Sequence, residues 1–317
     1  MAKVITVFGA TGAQGGPVAS ALLEDPEFKV RIVTRSASSA KAKALQERGA
    51  WVIEGSFDNP SSLEWAMKGA HGAYVMTRYS LELPDFHKQE IKQGKAVADA
   101  AQAAGVKHVV FSSLDAVQKT MGFQCHIYDS KAHVEEYMKS LGLPVTVVKF
   151  PTYYENYLSD WRLFFVKKLE DDTYELGYAI EGAALHAVSV ADMGFAVREI
   201  FKNRTEWLGR TVGFSRGKLT IQQHAEILSK HLAPNVFKPT KMTVEEFSQL
   251  PSPGAKHVGD AFKYWCLGMY SWHRTETVTC WHTLLCSTLQ AEVGGEDCDL
   301  FIIRPVFSLL SPPRRSH

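Results

Sequence analysis

The chain has 317 residues, of which 45% are hydrophobic and 22% are charged, and its formal net charge is +1. This length suggests one or two domains with ample apolar residues for a core. The balanced charge argues against electrostatic binding of nucleic acid, and no apolar run approaches the ~20 residues that cross a membrane. The first residues, MAKVITVFGATG, contain no signal-peptide pattern, so we expect a protein that stays inside the cell.

Short β-branched runs alternate with helical patterns over the first 150 residues. Continuous apolar strands separated by helices indicate a parallel sheet covered on both faces. We therefore predict an α/β fold with a Rossmann-type doubly wound parallel sheet in residues 1–150. The predicted strands are Lys3–Phe8, Lys29–Thr34, Trp51–Glu54, Ala73–Thr77, His108–Ser112 and Val145–Phe150. The predicted helices between them start near Gly16, Ala40, Pro60, Gln89 and Ser130.

Beyond Pro151 the regular alternation is lost, and we predict a smaller α+β C-terminal lobe of residues 151–265 that completes a cleft. Strand patterns occur near Tyr174–Ile180 and Thr211–Phe214. Helical patterns occur near Glu155–Val166, Val190–Phe201, Thr220–His231 and Val244–Leu250.

Residues 266–317 form an atypical segment. They contain four of the five cysteines, Cys266, Cys280, Cys286 and Cys298, and little helical periodicity. Two explanations stay open, ordinary divergence and a changed exon or reading frame. We predict that this segment packs poorly.

The strongest motif is Gly9-Ala-Thr-Gly12-Ala-Gln-Gly15-Gly16, which follows the first predicted strand and opens a helix. Glycines at such a turn let the backbone approach a pyrophosphate, which the helix N-terminus stabilises through its N–H groups and dipole. The alternative is a glycine-rich turn that serves packing alone. In this strand–turn–helix context the motif predicts a dinucleotide site. The predicted contacts are Gly9, Thr11, Gly12, Ala13, Gln14 and Gly15.

The end of the second predicted strand bears on the choice of nicotinamide cofactor. A carboxylate about 20 residues past the glycines binds the ribose 2′-hydroxyl in NAD-selective folds. Here the residues are Thr34-Arg35-Ser36, and a guanidinium can bind a 2′-phosphate through charge-assisted hydrogen bonds. Lys41 adds charge if the following loop folds inward. The sequence therefore predicts NADP(H), with NADPH preferred over NADH. The alternative is that Arg35 is a solvated residue at a strand end.

The spacing G-x-x-G-x-x-G resembles that of the short-chain dehydrogenase/reductase superfamily. Five segments in order resemble its NmrA-like family across about residues 3–265, and the resemblance fades after Tyr264-Trp265. The segments are VFGATGAQGG, VRIVTRS, VVFSSLDAV, YDSKAHVEEY and PTYYENYL.

The resemblance to the NmrA-like family implies an NADPH-binding redox sensor that regulates other proteins. It implies a cytoplasmic, perinuclear or nuclear protein that can form a homodimer. It also implies regulatory protein partners, argininosuccinate synthase among them.

The resemblance implies further cofactor contacts. Asp58 is expected near the adenine, although it is equally well explained as a helix cap, and Thr77 is expected near the ribose and phosphates. Tyr153, Tyr154 and Asn156 follow the sixth predicted strand. They are expected either at the nicotinamide end of the cofactor or in the core of the smaller lobe.

Typical members of the superfamily reduce carbonyls with a serine and a Tyr-x-x-x-Lys pair. Lys131 matches the lysine, but Ile127 occupies the position four residues earlier, and Tyr128 is rotated by about 100° from it. The phenolic acid is therefore predicted to be missing. Two interpretations stay open: a cofactor-binding sensor in which Lys131 binds the nicotinamide ribose, and an atypical reductase that uses Lys131 alone.

Overall fold

The computed structural model describes residues 2–158 and 165–268. These residues form two compact units, one of residues 2–149 and 190–213 and one of residues 150–189 and 214–268 without the undescribed stretch. None of the described helices is long and apolar enough to cross a membrane.

The described strands and helices are numbered in chain order. The strands are β1 (Lys3–Phe8), β2 (Phe28–Thr34), β3 (Trp51–Glu54), β4 (Gly72–Met76), β5 (His108–Ser113), β6 (Val145–Lys149), β7 (Thr152–Tyr153), β8 (Val166–Lys168), β9 (Thr173–Leu176), β10 (Ala184–Val188), β11 (Thr211–Gly213), β12 (Gly217–Thr220) and β13 (Val236–Pro239). The helices are α1 (Gly15–Leu23), α2 (Ala40–Glu47), α3 (Pro60–Met67), α4 (Phe86–Ala103), α5 (Val117–Met121), α6 (His126–Ser140), α7 (Val190–Lys202), α8 (Arg204–Trp207), α9 (Ile221–His231), α10 (Val244–Ser248) and α11 (Ala255–Cys266).

The first unit is built on a seven-stranded sheet in the order β11-β6-β5-β4-β1-β2-β3. Every pairing in it is parallel. The chain moves outward from β1 to β3 and then returns to β4 on the other side of β1, so the strand order reverses between β1 and β4. In open α/β sheets ligands bind at this reversal, beyond the carboxyl ends of the strands. The predicted Rossmann-type fold is confirmed.

Segment 190–213 corrects the predicted domain boundary. The sequence placed its helix and strand in the smaller lobe. In the structure α7 packs against α1, and β11 extends the large sheet beside β6. A strand of three residues carries too little pattern to show which sheet it joins, so only the pairing itself reveals its place.

The second unit contains two small sheets, in the orders β12-β10-β7 and β13-β9-β8, with helices α9 to α11. Its core is aromatic. The rings of Phe165 and Tyr178 stack with centroids 4.2 Å apart, and Phe262 packs against both and against Phe247. The smaller α+β region is thus confirmed.

Two predicted elements of this region are compared with the structure only in part or differ from it. Of the predicted helix near Glu155–Val166, the described residues show a 3-10 turn over Tyr154–Tyr157 and a helical Phe165, and Val166 begins β8. The predicted strand pair near Tyr174–Ile180 is β9 alone, paired with β8 and β13 from elsewhere in the chain. Residues 159–164, and all of the atypical segment from residue 269 onward, lie outside the described residues.

A buried histidine links β5, β6 and α8 in the first unit. The hydroxyl of Thr146 donates to the carbonyl of Trp207 at 2.8 Å, so Nε2–H of His108 donates to that hydroxyl, also at 2.8 Å. His108 is 1% exposed. Burial, with smaller effects from Arg204 and His71, lowers its pKa from 6.5 to about 4. The neutral imidazole therefore stabilises the fold.

We predict an acid-sensitive stability that depends on His108. Because the folded-state pKa is the lower one, the stabilisation is complete above pH 6.5 and is lost as the pH falls toward 4. The loss from this group is roughly 2 kcal/mol between pH 7 and 4.5. Replacing His108 by Gln keeps an N–H donor and removes the titration, so denaturant unfolding of the variant should depend less on pH. Parallel pH curves for the two proteins would contradict this assignment.

Candidate cofactor site

The glycine-rich loop joins β1 to α1 at the point where the strand order reverses. Gly12 N–H donates to the Gly9 carbonyl at 2.9 Å and Gly16 N–H to the Gly12 carbonyl at 3.1 Å, which gives a compact turn. A Cβ at Gly15 would lie 2.4 Å from the Gly9 oxygen, so only glycine fits there. A ligand at the surface of this loop can therefore approach the backbone N–H groups closely.

The N-terminus of α1 is left uncapped by side chains. Its N-cap residue, Gln14, makes no capping hydrogen bond, and its side-chain oxygen instead accepts one from the Tyr74 hydroxyl at 3.2 Å. The first N–H groups of an α-helix lack intrahelical partners and favour anions. Thr11 and Ala13 lie in the same turn. This geometry is compatible with a pyrophosphate, and the contact of these residues with a dinucleotide stays a prediction.

The other predicted contacts on this side follow β2 and β3. Arg35 is exposed directly after β2, and Lys41 is exposed in the first turn of α2. Asp58 is exposed after β3 and accepts a hydrogen bond from Gln93 at 2.9 Å. The side chain that caps α3 is Asn59, so the alternative interpretation of Asp58 as the helix cap is wrong.

Thr77 and Lys131 are far apart in sequence and meet beyond the carboxyl end of β4. The Lys131 ammonium donates to the Thr77 carbonyl at 2.9 Å and to its hydroxyl at 3.1 Å. It also forms an ion pair with Glu90, whose other oxygen accepts a hydrogen bond from Ser130. The Thr77 hydroxyl donates to Glu90 at 2.6 Å. All four residues are buried, with Glu90 at 0% exposure. We call them the Lys131 cluster.

The close packing of α4 on α6 holds the Lys131 cluster together. A Cβ at Gly94 would lie 2.3 Å from a methyl carbon of Val134. Gly94 is one turn from Glu90 on α4, and Val134 is nearly one turn from Lys131 on α6. Because Gly94 has no side chain, α4 and α6 can pack closely enough for the Glu90 carboxylate to reach the Lys131 ammonium.

The helix geometry leaves Lys131 without the usual tyrosine. Because α6 is continuous from His126 to Ser140, Ile127 lies on the same face as Lys131, and it is buried. A different tyrosine contacts the lysine: the ammonium lies 5.5 Å from the centroid of the Tyr79 ring. Phe86 contacts the same ring at 5.4 Å.

Tyr153, Tyr154 and Asn156 belong to the second unit. Tyr153 ends β7, beside Val188 of β10. Tyr154 is buried against the ring of His224, with centroids 6.1 Å apart, and Asn156 donates to the Thr152 hydroxyl at 3.1 Å. Their contact with a cofactor stays a prediction.

Sequence reasoning missed Glu90 and Tyr79. A signal for Glu90 was present, because Phe86, Glu90, Gly94 and Val97 recur at helical spacing along the buried face of α4. A carboxylate on the buried, apolar face of a helix needs a positively charged or hydrogen-bonding partner. No comparable signal marked Tyr79, since it lies in a loop without periodicity.

The family of the chain follows from comparison with known proteins. The NmrA-like family model matches residues 1–266. The chain belongs to the NmrA-like family. The match ends near the point where the resemblance was predicted to fade, after Tyr264-Trp265.

Two relatives of this NmrA-like protein carry different kinds of name: one names the family alone, and the other names an oxidoreductase. An NmrA-like family domain-containing protein of Dictyostelium discoideum is 34% identical over 242 residues, which cover 73% of this chain and 78% of that protein. An NmrA-like family domain-containing oxidoreductase, himF of Aspergillus japonicus, is 36% identical over 160 residues, which cover 49% and 48% of the two chains.

A solved structure shares the fold. It is the crystal structure of NmrA, a negative transcriptional regulator, in complex with NADP. It has a TM-score of 0.73 and 21% identity, and the match covers 97% of this chain and 96% of that one.

We predict that Arg35 selects the 2′-phosphate. Replacing Arg35 by Asp should weaken NADPH binding by roughly 2–5 kcal/mol, as for a lost charge partner, and should change NADH binding far less. Calorimetric titration with both cofactors measures the difference. Arg210→Asp is the matched control, because Arg210 is also exposed but precedes β11, at the opposite edge of the sheet. Equal losses for the two cofactors would show that Arg35 does not discriminate between them.

We also predict that Glu90 stabilises the buried charge of Lys131. Glu90→Gln leaves the ammonium without a negative partner, and breaking a buried pair in this way costs about 3–5 kcal/mol. Denaturant unfolding measures the loss. The control is Glu24→Gln, which breaks the exposed pair with Arg48 and should cost about 0–1 kcal/mol. If both variants lose the same small amount, Lys131 does not depend on Glu90.

Proposed function

We propose that this protein is an NADP(H)-binding redox sensor with little or no catalysis. The observation that carries the proposal is the Lys131 cluster. The lysine is retained at the carboxyl edge of the sheet, but its ammonium is bound by Glu90 and Thr77, and the apolar Ile127 stands where a phenolic acid is needed. A group held in this way suits binding and conformational response better than proton transfer.

The cofactor assignment is supported by the chain's own residues and by its relatives. The glycine-rich loop and the uncapped α1 fit a pyrophosphate, and Arg35 with Lys41 supplies positive charge for a 2′-phosphate. NmrA has been crystallised with NADP and, separately, with NAD. We propose that NADPH is preferred here because Arg35 follows β2. When bound, NADPH would bring a hydride donor into this part of the chain.

Sensing requires that NADPH bind one state of the protein better than another. The proposed moving parts are the loop of residues 36–43, beside Arg35, and the segment of residues 78–86, which connects Thr77 to α4. At a concentration ~100 times the dissociation constant, binding stabilises the competent state by roughly 2.7 kcal/mol. This shifts a monomer–dimer balance about a hundredfold if the other state binds no cofactor. The homodimer and the regulatory partners that the family resemblance implies are part of this proposal.

A second candidate function is an atypical NADPH-dependent reductase. It is favoured by the contact between Lys131 and Tyr79, which places a phenol near the lysine from a different element. Relatives named as oxidoreductases add support. In this alternative Lys131 assists hydride transfer, and Tyr79 takes the place of the absent helix tyrosine as proton donor.

The sensor proposal is tested by adding NADPH, or NADP⁺ as the oxidised control, to the intact chain. We expect NADPH to change protease sensitivity within residues 36–43 and 78–86 and to change the sedimentation profile. Saturating NADPH that binds but alters neither would mean that the cofactor is structural.

Turnover separates the two candidates on the same sample. The sensor should not oxidise NADPH with a panel of carbonyl, enone and quinone substrates. Efficient turnover that falls strongly in both Lys131→Met and Tyr79→Phe would establish the reductase instead.

A further inference from the structure

Two exposed tryptophans lie near the β3 edge of the large sheet. Trp51, the first residue of β3, is 49% exposed, and Trp65 on α3 is 61% exposed. Each carries a lysine over its ring, with Lys29 at 5.8 Å from Trp51 and Lys68 at 5.7 Å from Trp65. Exposed tryptophan is costly, and it is enriched where proteins bind partners.

Arg31 connects the two tryptophans into one surface. Its guanidinium lies 6.0 Å from the Trp51 ring and donates to the carbonyls of Ala66 and Lys68 at 2.7 and 2.9 Å. It thereby fixes the end of α3 against β2. We call Lys29, Arg31, Trp51, Trp65 and Lys68 the tryptophan patch.

The patch borders an open sheet edge. β3 is the outermost strand of its sheet and pairs with β2 on one side, and no described strand pairs with its other side. The backbone groups of an unpaired edge form a template for an added strand. Strand addition obtains affinity from main-chain hydrogen bonds and specificity from the side chains beside them.

We propose that the tryptophan patch and the open edge of β3 bind an extended acidic segment of a partner protein, which adds a strand beside β3. Lys29 and Trp51 share one face of the sheet, so alternate acidic residues of the added strand would face both. Their carboxylates would meet Lys29 and Lys68, and their methylene groups would cover Trp51. A second copy of this chain fits less well, because it would bring the same cations into contact. Nucleic acid fits less well because the edge offers a pairing partner to a peptide backbone, and the net charge of the chain is only +1. This inference is independent of the proposed cofactor function.

The test uses a capped synthetic peptide of alternating Glu and Val as the probe, with a Lys/Val peptide as the charge control. The full chain should bind the Glu/Val peptide at low salt and should bind the Lys/Val peptide at least tenfold more weakly. Lys29→Glu combined with Lys68→Glu should weaken binding of the acidic peptide at least fivefold. The matched control is Lys218→Glu with Lys238→Glu, two exposed lysines on strands of the second unit, which should leave that binding unchanged.

A backbone readout separates strand addition from simple charge attraction. The acidic peptide should slow amide hydrogen exchange within residues 51–54 of the wild-type chain. Equal binding of the two peptides, no effect of the Lys29/Lys68 variant, or unchanged exchange in β3 would each overturn the proposal. Tighter binding of oligo-dT that depends on the same two lysines would assign the patch to nucleic acid instead. Self-association lost in that variant would assign it to a second copy of the chain.

Discussion

An ammonium group buried between two helices needs a negative partner, and in this protein Glu90 provides one for Lys131. The cost of removing both charges from water is met only when the geometry is close and the remaining lone pairs are bonded. Ser130 and the Thr77 hydroxyl complete the bonding of the carboxylate. The approach of α4 to α6 at Gly94 supplies the geometry. The position of Lys131 at the carboxyl edge of the sheet thus follows from helix packing in the core.

The same interaction bears on what the site does. A lysine that lowers the pKa of a phenol must be free to approach it along one helix face, and here that face presents Ile127. The ammonium is instead bound to the segment that leaves β4, through the Thr77 carbonyl. Any displacement of that segment would therefore break or lengthen the hydrogen bonds between Thr77 and Lys131. The contact of Lys131 with Tyr79, which belongs to the same segment, is a structural feature that favours chemistry.

Much of the first unit could be predicted from sequence because its signals are local. The bounds of β1 and β3 were predicted as the structure has them, and the glycine-rich loop marked the start of α1 to within one residue. The helix and strand of segment 190–213 were predicted but assigned to the wrong unit, because joining a sheet depends on contacts with β6 and α1 that are distant in the chain. Glu90 was recoverable from helical spacing, whereas the contact between Tyr79 and Lys131 depends on the path of a loop. Helical patterns predicted α9 and α10 even in the irregular second unit, and the structure shows a capping box at the start of each, at Thr220 and Thr243.

A redox sensor requires that NADPH and NADP⁺ leave the protein in different states. A cofactor form shifts the protein only if it binds one state more tightly than the other. Sedimentation of the intact chain, saturated with NADPH in one sample and with NADP⁺ in the other, measures the outcome directly. We predict that the two cofactor forms give different sedimentation profiles. Identical profiles at saturation with both forms would contradict redox sensing.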